Sequence, residues 1–172
     1  LRPNLNFLLR YHSMNLRRLS EQVGQRLLEK QLWLATAESC TGGWISQSIT
    51  DIAGSSQWFD RGFVTYSNEA KQDMLSVSCD TLERHGAVSE QTVIEMVQGA
   101  LANSRADVSV AVSGVAGPTG GTPDKPVGMV WLAWGIRGEE PVTQVEYYLG
   151  NRYEVRQQTV ETALQGLLKL LT

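Results

Sequence analysis

The sequence predicts an α/β fold, a three-layer sandwich in which a mixed β-sheet carries helices on both faces. Three observations lead there. Short apolar and β-branched runs alternate with segments of helical apolar spacing through the first part of the chain. Two apolar runs near the C-terminus are then joined by a short turn, which adds an antiparallel hairpin to the sheet. The length of 172 residues fits one domain. At that size folding buries roughly 70% of the unfolded chain's surface, enough for one core without staples.

Residues 1–14 are expected to be an N-terminal extension, and residues 15–172 a single domain. The opening LRPNLNFLLRYHS is basic and partly apolar, but it lacks the clean apolar core and small-residue cleavage site of a secretion signal. From about residue 15 to 30, Leu16, Leu19, Val23 and Leu27 recur at helix spacing among polar residues. WLATA (33–37) reads as a short buried strand. GGWISQSITDI (42–52) reads as a helix that opens at two glycines and is ended by Gly54. GFVTYS (62–67) is β-branched and aromatic and predicts a strand. Asn68 is the expected cap of the short helix EAKQDML, with Glu69 in its first turn. CDTLERHG makes a helical turn closed by Gly86, and Ser89 caps a helix that runs to about residue 104. DVSVAVSG (107–114) alternates as a strand and runs into a loop rich in glycine and proline. The hairpin strands are 127–136 and 142–150. A final helix spans 152–171, with Val160, Leu164, Leu167 and Leu171 on one stripe.

Composition narrows the function. A net charge of -3 argues against a broad nucleic-acid surface, while leaving room for one anion held by local cations. Cys40 and Cys79 are too few for a disulfide framework or a structural zinc site, so a reducing cytoplasm is expected. No apolar run has the length of a membrane span. The acidic residues do not cluster, and neither the dinucleotide nor the P-loop glycine fingerprint occurs. Metal ligation is therefore poorly supported.

Ligands of such sheets gather at the carboxyl ends of the strands, and the three most unusual segments fall there: 38–43, 66–71 and 113–121. AESCTGG puts Ser39, Cys40 and Thr41 at a glycine turn into a helix, where amides near Thr41, Gly42 and Gly43 can hold an anion or oxyanion. All three side chains are candidate nucleophiles, and Thr41 is equally a candidate helix cap. A thiol–imidazole pair would rest on His85, since His12 lies in the extension. In YSNEAK, Lys71 falls in a first helical turn, where the dipole and burial lower its pKa, so it can serve as a base for a serine. The alternative is a solvated lysine paired with Glu69 or Asp73. Tyr66 is placed to relay a proton or orient a substrate, and Asn68 to cap the helix. Ser113 and Gly114 end a strand beside a loop whose length and glycines favour binding. Arg152 opens the last helix, where it would share an anion with the helix amides, and Arg156 lies one turn on; the alternative for this segment is a surface salt bridge. Trp58 and Phe59 are read as a cover for the site or a subunit contact.

TAESCTGG, DIAGSS, RGFVTYSNEAK, HGAVSE, SGVAGPTGG and KPVGMVW together resemble the CinA C-terminal domain family, over roughly residues 15–171. The resemblance is nearest to its stand-alone nicotinamide-nucleotide amidases. It implies hydrolysis of the carboxamide of nicotinamide mononucleotide (NMN) to nicotinic acid mononucleotide and ammonia, without a metal or organic cofactor, in a homo-oligomer. It favours Ser39 as nucleophile, Lys71 as base and Tyr66 as helper. Arg152, Ser113 and Gly114 then hold the 5′-phosphate. Two other readings stand beside it: a non-catalytic nucleotide-binding module, and an amidase for another substrate.

Overall fold

The computed structural model describes the backbone of residues 5–172 and the side chains of residues 15–172. Residues 1–4 of the expected extension, and the side chain of His12, lie outside what is described. The elements run α1 (Leu5–Lys30), β1 (Leu34–Glu38), α2 (Trp44–Thr50), β2 (Phe59–Val64), α3 (Asn68–Leu75), α4 (Cys79–His85), α5 (Glu90–Ala102), β3 (Val108–Gly114), β4 (Met129–Ile136), β5 (Val142–Tyr147) and α6 (Arg152–Leu170). The first helix therefore begins well ahead of the start expected near residue 15.

The strands form one sheet in the order β2-β1-β3-β4-β5. β1 pairs in parallel with both β2 and β3, while β3/β4 and β4/β5 are antiparallel. This is the mixed three-layer sandwich that the sequence predicts. The central strands β1 and β3 are buried almost throughout, because helices cover both their faces. Period-two alternation divides the interior in two. Val108, Val110 and Val112 of β3 join Leu16, Leu19, Val23 and Leu27 of α1 and the stripe of α6 in one core. Ala111, with Ala35, Ala37 and Ala133, faces Val93, Met96 and Val97 of α5 in the other. Small side chains on that face let α5 approach the sheet. Two indole rings lock the first core through notches left by glycines. Trp58 lies over Gly24, and Trp134 lies over Gly166 while its Nε1–H donates to the Ala163 carbonyl at 2.9 Å.

Three local expectations need correction. Strand β2 occupies Phe59–Val64 rather than 62–67. Its partner β1 ends at Glu38, which pairs with Val64, so the ladder stops there and the chain turns away. The cap of α3 is Ser67, whose Oγ accepts from the Ala70 N–H at 3.0 Å, and Asn68 is already helical. Trp58 covers no site: it is 2% exposed, packed in the core.

Parallel pairing decides where chemistry can occur. In register, Glu38 lies beside Val64 on one side and Val112 on the other. The segments that follow β1, β2 and β3 therefore leave the sheet at a common edge.

Candidate active site

At that edge β1 hands over to α2 through a turn closed by the Gly42 N–H on the Ser39 carbonyl at 3.1 Å. Gly42 and Gly43 take φ of 60° and 100°, left-handed values that a side chain would strain. Gly43 offers no side chain to cap α2. The cap comes instead from the end of the strand. Glu38 is fully buried, and its carboxylate accepts from the Ile45 N–H at 2.8 Å and the Ser46 N–H at 3.0 Å. It also takes the hydroxyls of Thr41 at 2.7 Å and Ser46 at 2.8 Å. A negative group at a helix N-terminus meets both the free amides and the dipole. Sequence reasoning gave Glu38 no role. The available signal was an acidic residue just ahead of a helix whose cap position is glycine.

Lys71 enters from α3. It is 1% exposed, and its Nζ donates to Ser39 Oγ at 2.8 Å and to the Thr65 carbonyl at 2.7 Å. The surface pair with Glu69 or Asp73 does not form. Burial lowers the ammonium pKa from 10.5 to about 8, because no carboxylate compensates for lost water. Cys40 lies beside Ser39, yet burial pushes its thiol up to about 11. Cys40 shares no hydrogen bond with His85, whose carbonyl is instead bound by Lys125. A thiolate there has little support at neutral pH.

Opposite the serine, Ser113 ends β3. It is 1% exposed and lines the same cavity as Ser39 and Lys71. Arg152 reaches across the opening, donating Nη1–H to the Gly117 carbonyl at 2.8 Å and Nη2–H to the Tyr66 hydroxyl at 2.9 Å. Arg152 is the first residue of α6. Asn151 and Glu154 form a reciprocal capping box there, so Asn151 serves to start the helix. Ser39, Lys71, Tyr66, Ser113, Gly114 and Arg152 together line a cavity of about 250 Å³.

The remaining predicted residues lie elsewhere. Thr41, Gly42 and Gly43 border a different hollow, about 480 Å³, behind the turn. The Thr41 hydroxyl is engaged by Glu38 and the Gly42 N–H is used inside the turn. The N–H groups of Thr41 and Gly43 have no backbone acceptor among the described residues, and the Cys40 N–H meets its own thiol. Asn68 is exposed on α3 and lines neither cavity. Arg156, one turn on from Arg152, binds the carbonyls of Cys40 and Thr41. The larger hollow lacks the serine and lysine, so the smaller cavity is the candidate site. No group of three His, Cys, Asp or Glu among the described residues is placed to hold a metal. No described helix is long and apolar enough to cross a membrane.

Comparison with known proteins identifies the family. Residues 16–171 match the family model of the CinA C-terminal domain. A relative from Escherichia coli (strain K12), named nicotinamide-nucleotide amidohydrolase PncC, is 56% identical over 152 residues, covering 88% of this chain and 92% of the relative. A Pseudomonas putida protein of the same name is 50% identical over 154 residues, covering 90% and 96%. Among solved structures, the competence/damage inducible protein CihA from Agrobacterium tumefaciens superposes with a TM-score of 0.89 at 46% identity, covering 92% of this chain and 96% of that one.

Proposed function

The chain belongs to the CinA C-terminal domain family, and from that premise we propose that it is a nicotinamide-nucleotide amidase. It converts NMN and water to nicotinic acid mononucleotide and ammonia. The observation that carries the mechanism is the 2.8 Å contact between Lys71 Nζ and Ser39 Oγ inside the strand-edge cavity. The names of the relatives support the substrate.

Ser39 Oγ attacks the carboxamide carbon as its proton passes to neutral Lys71. An oxyanion forms on the former carboxamide oxygen. Lys71 then protonates the departing nitrogen, ammonia leaves, and an acyl ester remains on Ser39. Water, deprotonated by Lys71, attacks the ester; the C–O bond to Ser39 breaks and the serine recovers its proton. Burial is what suits the lysine to acid–base chemistry, because at a pKa of about 8 it can both take and return a proton near neutrality. Tyr66, held by Arg152, orients the ring or relays a proton. Arg152 and the Ser113–Gly114 strand end hold the 5′-phosphate, with the Ser113 hydroxyl as a donor. Asn68 contributes only from the rim. These steps use no metal or organic cofactor, and cytoplasmic location and homo-oligomeric assembly belong to the same reading.

Ammonia release from NMN by the purified protein tests it. Release that vanishes in a folded Lys71→Ala variant is expected. NMN binding without release would indicate a nucleotide-binding module. Equal turnover of NMN and its dephosphorylated riboside would refute the nucleotide as substrate.

A further inference from the structure

Glu38 is the last residue of β1, directly ahead of Ser39. Alternation along the strand sends Thr36 and Glu38 toward α2, where both meet Ser46, while Ala35 and Ala37 pack against α5. Glu38 therefore lines no part of the cavity that holds Ser39. Its carboxylate, fully buried, takes four donors: the Ile45 and Ser46 amides and the Thr41 and Ser46 hydroxyls. Ser46 Oγ in turn lies 2.7 Å from Thr36 Oγ1. Gly62 pairs with Thr36 across the ladder and leaves the space this network fills, since a Cβ there would clash with Ser46 Oγ and stand 2.8 Å from Thr36 Oγ1. No cation pairs with Glu38 among the described residues. A buried carboxylate without a cation is a costly way to start a helix. The usual side-chain cap is closed to this turn, because Gly43 sits at φ 100°.

The backbone of Glu38 completes the arrangement. Its carbonyl accepts from the Thr65 N–H at 2.8 Å, and the Thr65 carbonyl accepts from Lys71 Nζ at 2.7 Å. The same Nζ donates to Ser39 Oγ at 2.8 Å. Glu38 thus stands at the junction of both halves of the Ser39–Lys71 pair. Its carboxylate anchors the turn that carries the serine, and its carbonyl anchors the strand end that receives the lysine. Proton transfer depends on both anchors, because a displacement of about 1 Å at reacting groups costs on the order of 100-fold in rate.

We propose that Glu38 is a positioning residue, whose carboxylate fixes the turn after β1 so that Ser39 Oγ stays within hydrogen-bond reach of Lys71. Only an ionised carboxylate accepts at both oxygens; a glutamine of the same shape turns an NH₂ group toward one pair of donors. The inference rests on the serine mechanism above, but not on the identity of the substrate.

Two assays separate these, each run where urea unfolding shows the variant fully folded. In the first, a fluorophosphonate labels Ser39: the Oγ–P bond forms, the P–F bond breaks, fluoride leaves and the serine proton goes to Lys71. The rate, read by mass spectrometry, should fall roughly 10- to 100-fold in Glu38→Gln. Ser46→Ala and Gly62→Ala disturb the network from behind without touching Glu38, and each should slow labelling at least about threefold. Gly166→Ala, which strains the fold against Trp134 far from this network, should label at the wild-type rate. In the second assay, NMN hydrolysis should lose kcat in the same order of variants, with KM changed less than about twofold, because none of Glu38, Ser46 and Gly62 lines the cavity. The midpoint of the pH profile stays in place, since burial and Cys40 set the Lys71 pKa. Labelling that depends on Glu38 without NMN turnover in wild type would reject the substrate and keep the inference. Wild-type labelling in folded Glu38→Gln overturns it. Should Glu38→Gln fail to fold, Ser46→Ala and Gly62→Ala decide, and wild-type rates in both overturn it. Equal slowing in Gly166→Ala also overturns it, because the loss then tracks stability alone. Absence of both labelling and turnover in wild type overturns the serine mechanism and the inference together.

Discussion

Replacing Lys71 by Met should make the protein more stable and catalytically inert. Lys71 is 1% exposed, and its pKa falls from 10.5 to about 8 through burial. Below pH 8 both folded and unfolded states carry the proton, and the folded state bears the full cost of a buried ammonium. Between about 8 and 10.5 the unfolded chain binds more protons, so stability rises with pH. Above 10.5 the cost has gone. The fall from 10.5 to about 8 corresponds to about 3 kcal/mol. Losing the hydrogen bond to the Thr65 carbonyl returns about 1 kcal/mol, so Lys71→Met should be more stable than wild type by about 2 kcal/mol at pH 7 and about 1 kcal/mol less stable at pH 11. Urea unfolding of both proteins at several pH values measures the difference, and effects of other groups cancel. In wild type the same titration governs activity: at pH 7 about 10% of Lys71 is neutral, about 300 times the fraction at an unshifted pKa. The kcat/KM for NMN should climb about tenfold per pH unit below 8 and level off above it. A stability difference that does not vary with pH, or a flat rate profile from pH 6 to 9, would refute a buried lysine base.

Four further outcomes follow from particular contacts. Glu38→Ala strips the acceptor from two α2 amides and should cost about 3 kcal/mol in urea unfolding; Glu38→Gln, which keeps one acceptor oxygen, should cost less. Cys40→Ser should keep NMN turnover within about threefold, because a thiol pushed up to about 11 is ionised in only about one molecule in ten thousand at pH 7; complete loss in a folded variant would move the nucleophile to Cys40. Arg152→Ala should raise KM for NMN by roughly 10- to 100-fold with a smaller change in kcat, the loss of a charge-assisted phosphate contact, and steady-state kinetics decides this. Gly166→Ala should destabilise by about 1–3 kcal/mol in thermal unfolding. Helix propensity alone favours alanine by about 1 kcal/mol, but the added Cβ would lie 2.1 Å from the Trp134 ring.

Most of the secondary structure was legible locally, because apolar period and turn chemistry are properties of neighbouring residues. Ser89 and Gly86 mark the bounds of their helices as expected, and the hairpin β4–β5 follows from two runs and a short turn. The misplaced bounds of β2 have a tertiary cause: the strand is as long as its pairing with five-residue β1 permits. The same division runs through the site. Residue types in AESCTGG and YSNEAK narrowed the reacting groups to a few, and the family resemblance chose among them. Only folding brings Ser39 and Lys71, 32 positions apart, to 2.8 Å, and only burial lowers the lysine. Glu38 and Arg156 were opaque for the same reason. An acidic residue after a strand and an arginine on a helix read as surface groups until the chain shows which amides and carbonyls they meet. Local sequence therefore determined the elements and the inventory of reactive groups. The parallel register of β1, β2 and β3 decided which of them share a cavity, because distance and desolvation depend on residues that the chain brings together from afar.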